Sequence, residues 1–69
     1  MFRINIPSAA MKSVGYDPEH KVLEIELPSG IFQYFKVPEK VYAGLLNAES
    51  YGLYFIKKIK YIYTYKQIE

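Results

Sequence analysis

Sixty-nine residues with nine basic and seven acidic side chains, one histidine and no cysteine allow a single domain, residues 1–69, and exclude a disulfide framework, a thiolate metal site or a cysteine nucleophile. The net charge of +2 is too mild for polyanion binding driven by bulk electrostatics alone. No apolar run approaches the ~20 residues of a membrane span, and MFRINIPSAA lacks the apolar core of a secretory signal, so the expected setting is cytoplasmic, with no membrane partner.

In chain order, Phe2 to Ile6 alternates apolar and polar residues, the period of a short half-buried strand, and Pro7 ends it. Met11 is expected to anchor in the core. Ser13 to Tyr16 reads as a second strand, with Asp17-Pro18-Glu19-His20 as the turn after it. Lys21 to Leu27 is the clearest strand: Leu23, Ile25 and Leu27 point one way, Glu24 and Glu26 the other. Pro28-Ser29-Gly30 reverses the chain into a return strand, Ile31 to Lys36.

The face taken by Phe32 and Tyr34 depends on that hairpin's register. With Ser29-Gly30 as the loop, Leu27 pairs with Phe32 and both aromatics enter the core. With Pro28-Ser29-Gly30 as a bulged turn, Leu27 pairs with Ile31 and both stand beside Glu24 and Glu26 as a stacking platform. Both registers remain open from sequence, the packed one ahead.

Val37-Pro38 leads into a helix, Glu39 to Asn47, with Val41, Tyr42, Leu45 and Leu46 on one face. Ser50 is placed to cap a second helix. There, Gly52, Phe55, Ile56 and Ile59 fall at helical spacing as a core stripe, with Gly52 admitting close helix approach. Almost opposite, Tyr54, Lys57, Lys58 and Tyr61 form an outward stripe. From Tyr61 the period changes to two, which predicts a terminal strand at the sheet edge, beside Phe2–Ile6. The fold expected is α+β: a small antiparallel β-β-β meander, two short helices and a C-terminal strand.

Residues 51–69 hold five of the eight tyrosines, and four lysines against one glutamate; the first fifty residues carry five basic and six acidic groups. Interleaved rings and ammonium groups suit a nucleic-acid surface, where bases stack and lysines meet phosphates. The plainer role of the same residues is dipole compensation at a helix C-terminus by the lysines and half-exposed packing by the tyrosines. His20, the single histidine, shares an exposed turn with Asp17 and Glu19 and lacks the cleft and oriented partner a general base needs. Glu24 and Glu26 read as a charged outer face rather than an acid–base pair. No glycine-rich phosphate loop is present. No catalytic residue, metal site or cofactor is expected.

The order of these pieces carries a resemblance. Ser13-Val14-Gly15-Tyr16-Asp17, Leu23-Glu24-Ile25-Glu26-Leu27 and Phe32-Gln33-Tyr34-Phe35-Lys36-Val37-Pro38 are followed by Leu45-Leu46, by Ser50 and Gly52 ahead of Tyr54-Phe55, and by Ile59, Tyr63-Thr64-Tyr65 and Ile68. From Ile6 to Ile68 the chain resembles the KTSC domain family, named for its place at the C-terminus of some lysyl-tRNA synthetases and also found as small separate proteins. The resemblance implies a compact α+β domain without known catalytic activity, with RNA binding drawn from the synthetase context. Phe32 stands where relatives carry a tyrosine, and Ile62 and Thr64 where they tend to carry arginines. Losing arginine removes bidentate phosphate contacts, which implies weaker binding here. The expected nucleic-acid contacts are Tyr54, Lys57, Lys58, Lys60, Tyr61 and Tyr34, and the expected partner is RNA or another nucleic acid. The alternative is a protein-interaction or homo-oligomeric role for the aromatic terminal strand.

Overall fold

The computed structural model describes residues 1–69. Five strands, β1 (Ile4–Asn5), β2 (Ser13–Asp17), β3 (Val22–Leu27), β4 (Gly30–Tyr34) and β5 (Tyr65–Gln67), form one antiparallel sheet in the order β1-β2-β3-β4-β5. Two short helices, α1 (Glu39–Leu46) and α2 (Tyr51–Phe55), follow β4, and α2 runs on into a π-helical turn, Ile56–Lys60. The α+β meander is thus as the alternation patterns imply. The terminal strand is at a different edge, however: β5 pairs with β4, placing Tyr65 opposite Tyr34, and not with β1. The β2–β3 and β3–β4 reversals are short, so those strands are neighbours, and the chain returns through residues 35–64, which carry both helices, to add β5 beside β4; β1 is left at the far edge.

Local chemistry accounts for the boundaries. Asp17 Oδ1 accepts from the amides of Glu19 and His20 (3.0 and 3.3 Å), closing the first hairpin as an Asx turn. The second hairpin has a two-residue loop, Pro28-Ser29, with Leu27 opposite Gly30, Ile25 opposite Phe32 and Leu23 opposite Tyr34. That register is shifted from both alternatives open in the sequence, but its parity puts Phe32 and Tyr34 on the core face. Ser50 caps α2, accepting from the Leu53 amide (3.3 Å). Gly30 takes φ +142°, and a Cβ there would run into the Glu69 carbonyl.

One face of the sheet carries the helices. Met11, Val14, Leu23, Ile25, Tyr34, Val37, Leu45, Phe55 and Ile59 form the buried cluster between them. Two helix assignments change. Ile56, expected in the core stripe, is 48% exposed while Ile59 is fully buried. The i→i+5 bonding of the π turn adds a fraction of a residue per turn, so the inward phase passes from Phe55 directly to Ile59. The glycine at the helix–helix contact is Gly44, where a Cβ would collide with the Tyr54 hydroxyl; Gly52 instead faces Ala10, at 3.1 Å from its ideal Cβ.

The opposite sheet face carries no helix. Glu24 lies on it but is buried, not solvent-facing as its alternation implied, because the N-terminal segment folds over it and Arg3 forms an ion pair with its carboxylate. Gln33 Nε2 donates to the other carboxylate oxygen (2.9 Å).

Three tyrosines tie the core to alkaline stability. Tyr16 stacks on Tyr42 (centroids 5.2 Å apart, planes within 14°) and donates to the Val37 carbonyl at 2.5 Å. Burial, then the charges of Glu39 and Asp17, raise the Tyr16 pKa; burial, then Tyr65, raises that of Tyr34; burial alone raises that of Tyr42. A folded-state pKa above the ordinary value of about 10 means the folded chain holds phenolic protons more tightly than the unfolded one, so this stabilisation is complete below pH ~10 and lost as pH rises through the folded values. Urea midpoints are therefore expected to stay level through neutral and mildly alkaline pH and fall above pH ~10. Y42F should lessen that fall; an unchanged alkaline limb in Y42F would remove Tyr42 from the explanation.

Candidate nucleic-acid interface

The π turn splits the basic-aromatic tail between two concave surfaces. Because the wide turn changes the helical phase after Phe55, Tyr61 does not continue the line of Tyr54, Lys57 and Lys58. Those three border a shallow depression of about 330 Å³ with Glu49, Ser50 and Leu53. Lys60 and Tyr61 instead border a groove of about 420 Å³ against the β3–β4 hairpin and β5.

The groove is mostly aromatic: Phe32, Tyr34, Phe55, Tyr61 and Tyr65 line it with Leu27, Ser29 and Lys60. Its deepest rings are Tyr34 and Phe55, 3% and 6% exposed, which meet edge to face with centroids 5.6 Å apart. Tyr65, opposite Tyr34 in the ladder, lies 5.5 Å from it and 5.9 Å from Phe32. Cross-strand aromatic pairs of this kind stabilise the sheet, and here they also wall a cleft. At the rim Tyr61 is 76% exposed, and the Lys60 ammonium sits 5.3 Å from its ring centroid, within cation–π range.

Of the residues expected to contact nucleic acid, Lys57, Lys58, Lys60 and Tyr61 are exposed. Tyr54 is half-buried and committed internally, donating from its hydroxyl to the Val41 carbonyl (3.0 Å). Tyr34 is a core ring that also lines the groove. Phe32, Phe55 and Tyr65 belong to the same cleft but were absent from the expected set. For Phe32 and Tyr65 the signal, period-two aromatics on each strand, is present in the sequence, but joining them requires the β4–β5 pairing; Phe55 enters from α2 through its contact with Tyr34.

The strand expected from Tyr61 begins only at Tyr65. Tyr61 closes the helix, and the amides of Ile62 and Tyr63 both bond to the Ile59 carbonyl (3.1 and 3.2 Å). Elsewhere, Asp17, Glu19 and His20 offer ligand atoms within 4.8 Å of one another on an exposed turn. His20 Nδ1 is 2.8 Å from Asp17 Oδ2, and this bond is the main cause of the lowered Asp17 pKa, ahead of the smaller opposing effect of desolvation. The pairing accounts for that cluster as turn structure.

A small antiparallel meander, closed by two helices and carrying an aromatic cleft with lysine at its rim, defines the class as a compact α+β domain. The KTSC domain profile matches residues 7–65, and the chain belongs to that family. The chain is 41% identical over 61 residues to an uncharacterised protein of Stutzerimonas stutzeri, an alignment covering 87% of this chain and 86% of that one. It is 44% identical over 59 residues to a lysine–tRNA ligase of Nostoc sp., covering 84% of this chain but only 10% of the ligase. The crystal structure of a KTSC domain protein from Yersinia pestis superimposes with a TM-score of 0.96 at 33% identity, over 99% of this chain and 97% of that one. The family has no established function and no known catalytic role, and is associated with lysyl-tRNA synthetase through such relatives. No helix of this structure is long and apolar enough to cross a membrane.

Proposed function

We propose that this domain is a non-enzymatic module that binds single-stranded RNA weakly through Lys57, Lys58, Lys60 and Tyr61. The observation that carries the reading is the Lys60–Tyr61 corner: an exposed ring backed by an ammonium group at the rim of an aromatic cleft. Lys57 and Lys58 stand exposed within three residues of it. Rings of this kind stack on unpaired bases and ammonium groups meet phosphates without reading sequence. A homologous segment within enzymes named for a tRNA supports RNA as the nucleic acid.

Lysine contacts imply salt-sensitive affinity. The double charge reversal K57E/K58E should weaken binding of a labelled single-stranded RNA at least tenfold at low salt. It should also flatten the slope of log K against log salt by ~0.7 for each phosphate that is no longer neutralised. Fluorescence anisotropy with increasing salt measures both; a wild-type protein indifferent to micromolar RNA at low salt would end the reading.

A second reading rests on β5. All three of its residues are exposed, it ends the sheet, and Ile62 and Ile68 nearby are 59% and 40% exposed. An open edge of this kind can pair with a second copy of the chain. Light scattering that finds a concentration-dependent dimer, abolished by proline at Gln67, would favour assembly.

A further inference from the structure

We propose that the groove between β4, β5 and the π turn receives one unpaired nucleobase, whose edge hydrogen-bonds the Tyr34 hydroxyl while its flanking phosphate meets Lys60. The inference rests on the nucleic-acid reading above and adds to it a defined base site.

Tyr34 carries the argument. The residue is 3% exposed, yet its hydroxyl bonds to no group of the protein, unlike those of Tyr16 and Tyr54, which donate to main-chain carbonyls. No solvent-inaccessible side-chain oxygen or nitrogen lacks a partner. The unpaired Tyr34 oxygen therefore keeps some access to solvent, and Tyr34 is among the residues that line the groove. A hydroxyl with no internal partner, on a residue lining a mostly aromatic cleft, can fix orientation for an entering molecule, as the few polar groups of small-molecule sites do.

Shape and charge narrow the class of ligand. The cleft volume, about 420 Å³, lies in the lower part of the roughly 300–1,000 Å³ range of small-ligand clefts. Phe32, Phe55 and Tyr65 present ring faces and edges, which suit a flat heterocycle over an aliphatic chain. The phenol, whose pKa is raised by burial and by Tyr65, stays protonated and can donate to a base carbonyl or ring nitrogen. At the rim, Tyr61 can stack on a neighbouring base, and Lys60, the one basic residue lining the groove, can meet a phosphate linked to the bound base.

The test uses the full chain labelled with ¹⁵N, titrated with adenosine 5′-monophosphate and, as the base-less control, ribose 5-phosphate. The expected result is saturable shift changes at Phe32, Tyr34 and Tyr65 with the nucleotide and none there with the sugar phosphate. Y34F keeps the ring and its packing while removing the hydroxyl. It should weaken nucleotide binding about five- to tenfold and weaken single-stranded RNA binding in the same direction, with an unchanged folded spectrum. Equal groove shifts from ribose 5-phosphate, or wild-type nucleotide affinity in Y34F, would overturn the base site. If the K57E/K58E effect on RNA persisted in either case, the nucleic-acid reading would stand without it. Groove binding of the nucleotide in a protein that ignores RNA would keep the base site and remove the strand-binding reading.

Discussion

Replacing Ile59 by alanine should destabilise the domain by about 3 kcal/mol, the mid-range for removing a fully buried isoleucine side chain beyond its β-carbon. At roughly 0.05–0.15 kcal/mol per residue, the whole domain has only about 3–10 kcal/mol. I59A is therefore expected to lower the urea midpoint by a third or more, with an unchanged m-value. Ile56→Ala, three positions earlier and on a 48% exposed side chain, should change stability by less than ~1 kcal/mol. The contrast tests the helical phase directly, because an α-helical continuation of α2 buries both residues. Comparable losses in the two variants would mean that Ile56 packs inward and that the π turn is absent in solution. The effect reaches the candidate site as well. Ile59 lies between Lys58 and Lys60, and its carbonyl accepts the amides that turn the chain at Ile62 and Tyr63. Loosening it should blur the Lys60–Tyr61 corner and weaken RNA binding beyond what the remaining folded fraction accounts for.

The same turn marks where sequence reasoning succeeded and where it stopped. Period-two alternation in Leu23–Leu27 and the turn chemistry of Asp17-Pro18 are local signals, and each appears in the structure where its residues call for it; the reversal after Leu27 is there too, but its loop is Pro28-Ser29 with Gly30 already in β4, unlike either loop expected. Ser50 is the same kind of case: its cap needs only the three residues after it. Non-local pairing leaves no comparable mark. Nothing in Tyr65-Lys66-Gln67 states which strand it joins, and without the Tyr34–Tyr65 pair the cleft has no second wall. A single π turn is also invisible to a 3.6-residue template, since Phe55, Ile56 and Ile59 satisfy that template equally well. The lysines and Tyr61 were legible as a surface because exposure of charged residues is the default. Which of them share a concavity was not, because that depends on the phase change after Phe55.

Glu24 is the second place where alternation pointed correctly to a face but not to its environment, and it carries a large expected effect. Its side chain is 5% exposed on the helix-free side of the sheet, held by Arg3 and by Gln33. Arg3 Nε also donates to Ser13 Oγ (3.0 Å), whose hydroxyl donates to Glu26 Oε1 (2.9 Å), so one polar network runs across β2, β3 and β4. Gly15 makes the cover possible: it sits opposite Glu24 in the ladder, and a Cβ there would collide with the Phe2 carbonyl. Removing one partner of a buried pair leaves an uncompensated charge, so Arg3→Met should destabilise the fold by about 2–3 kcal/mol, below the 3–5 of a fully enclosed pair because the Arg3 side chain keeps 26% exposure. Glu24→Gln in the R3M background should recover part of that loss, giving a coupling of ~1–2 kcal/mol in a double-mutant cycle. Gly15→Ala should act through the same contact: its new methyl group meets rigid backbone, so the Phe2–Arg3 segment must lift and Glu24 loses its cation. G15A and R3M losses should then fail to add, the double variant being little worse than the more damaging single one. Additive losses, or an R3M variant within ~0.5 kcal/mol of the parent, would mean that Arg3 does not neutralise Glu24 in solution and that the outer face of the sheet is open to water.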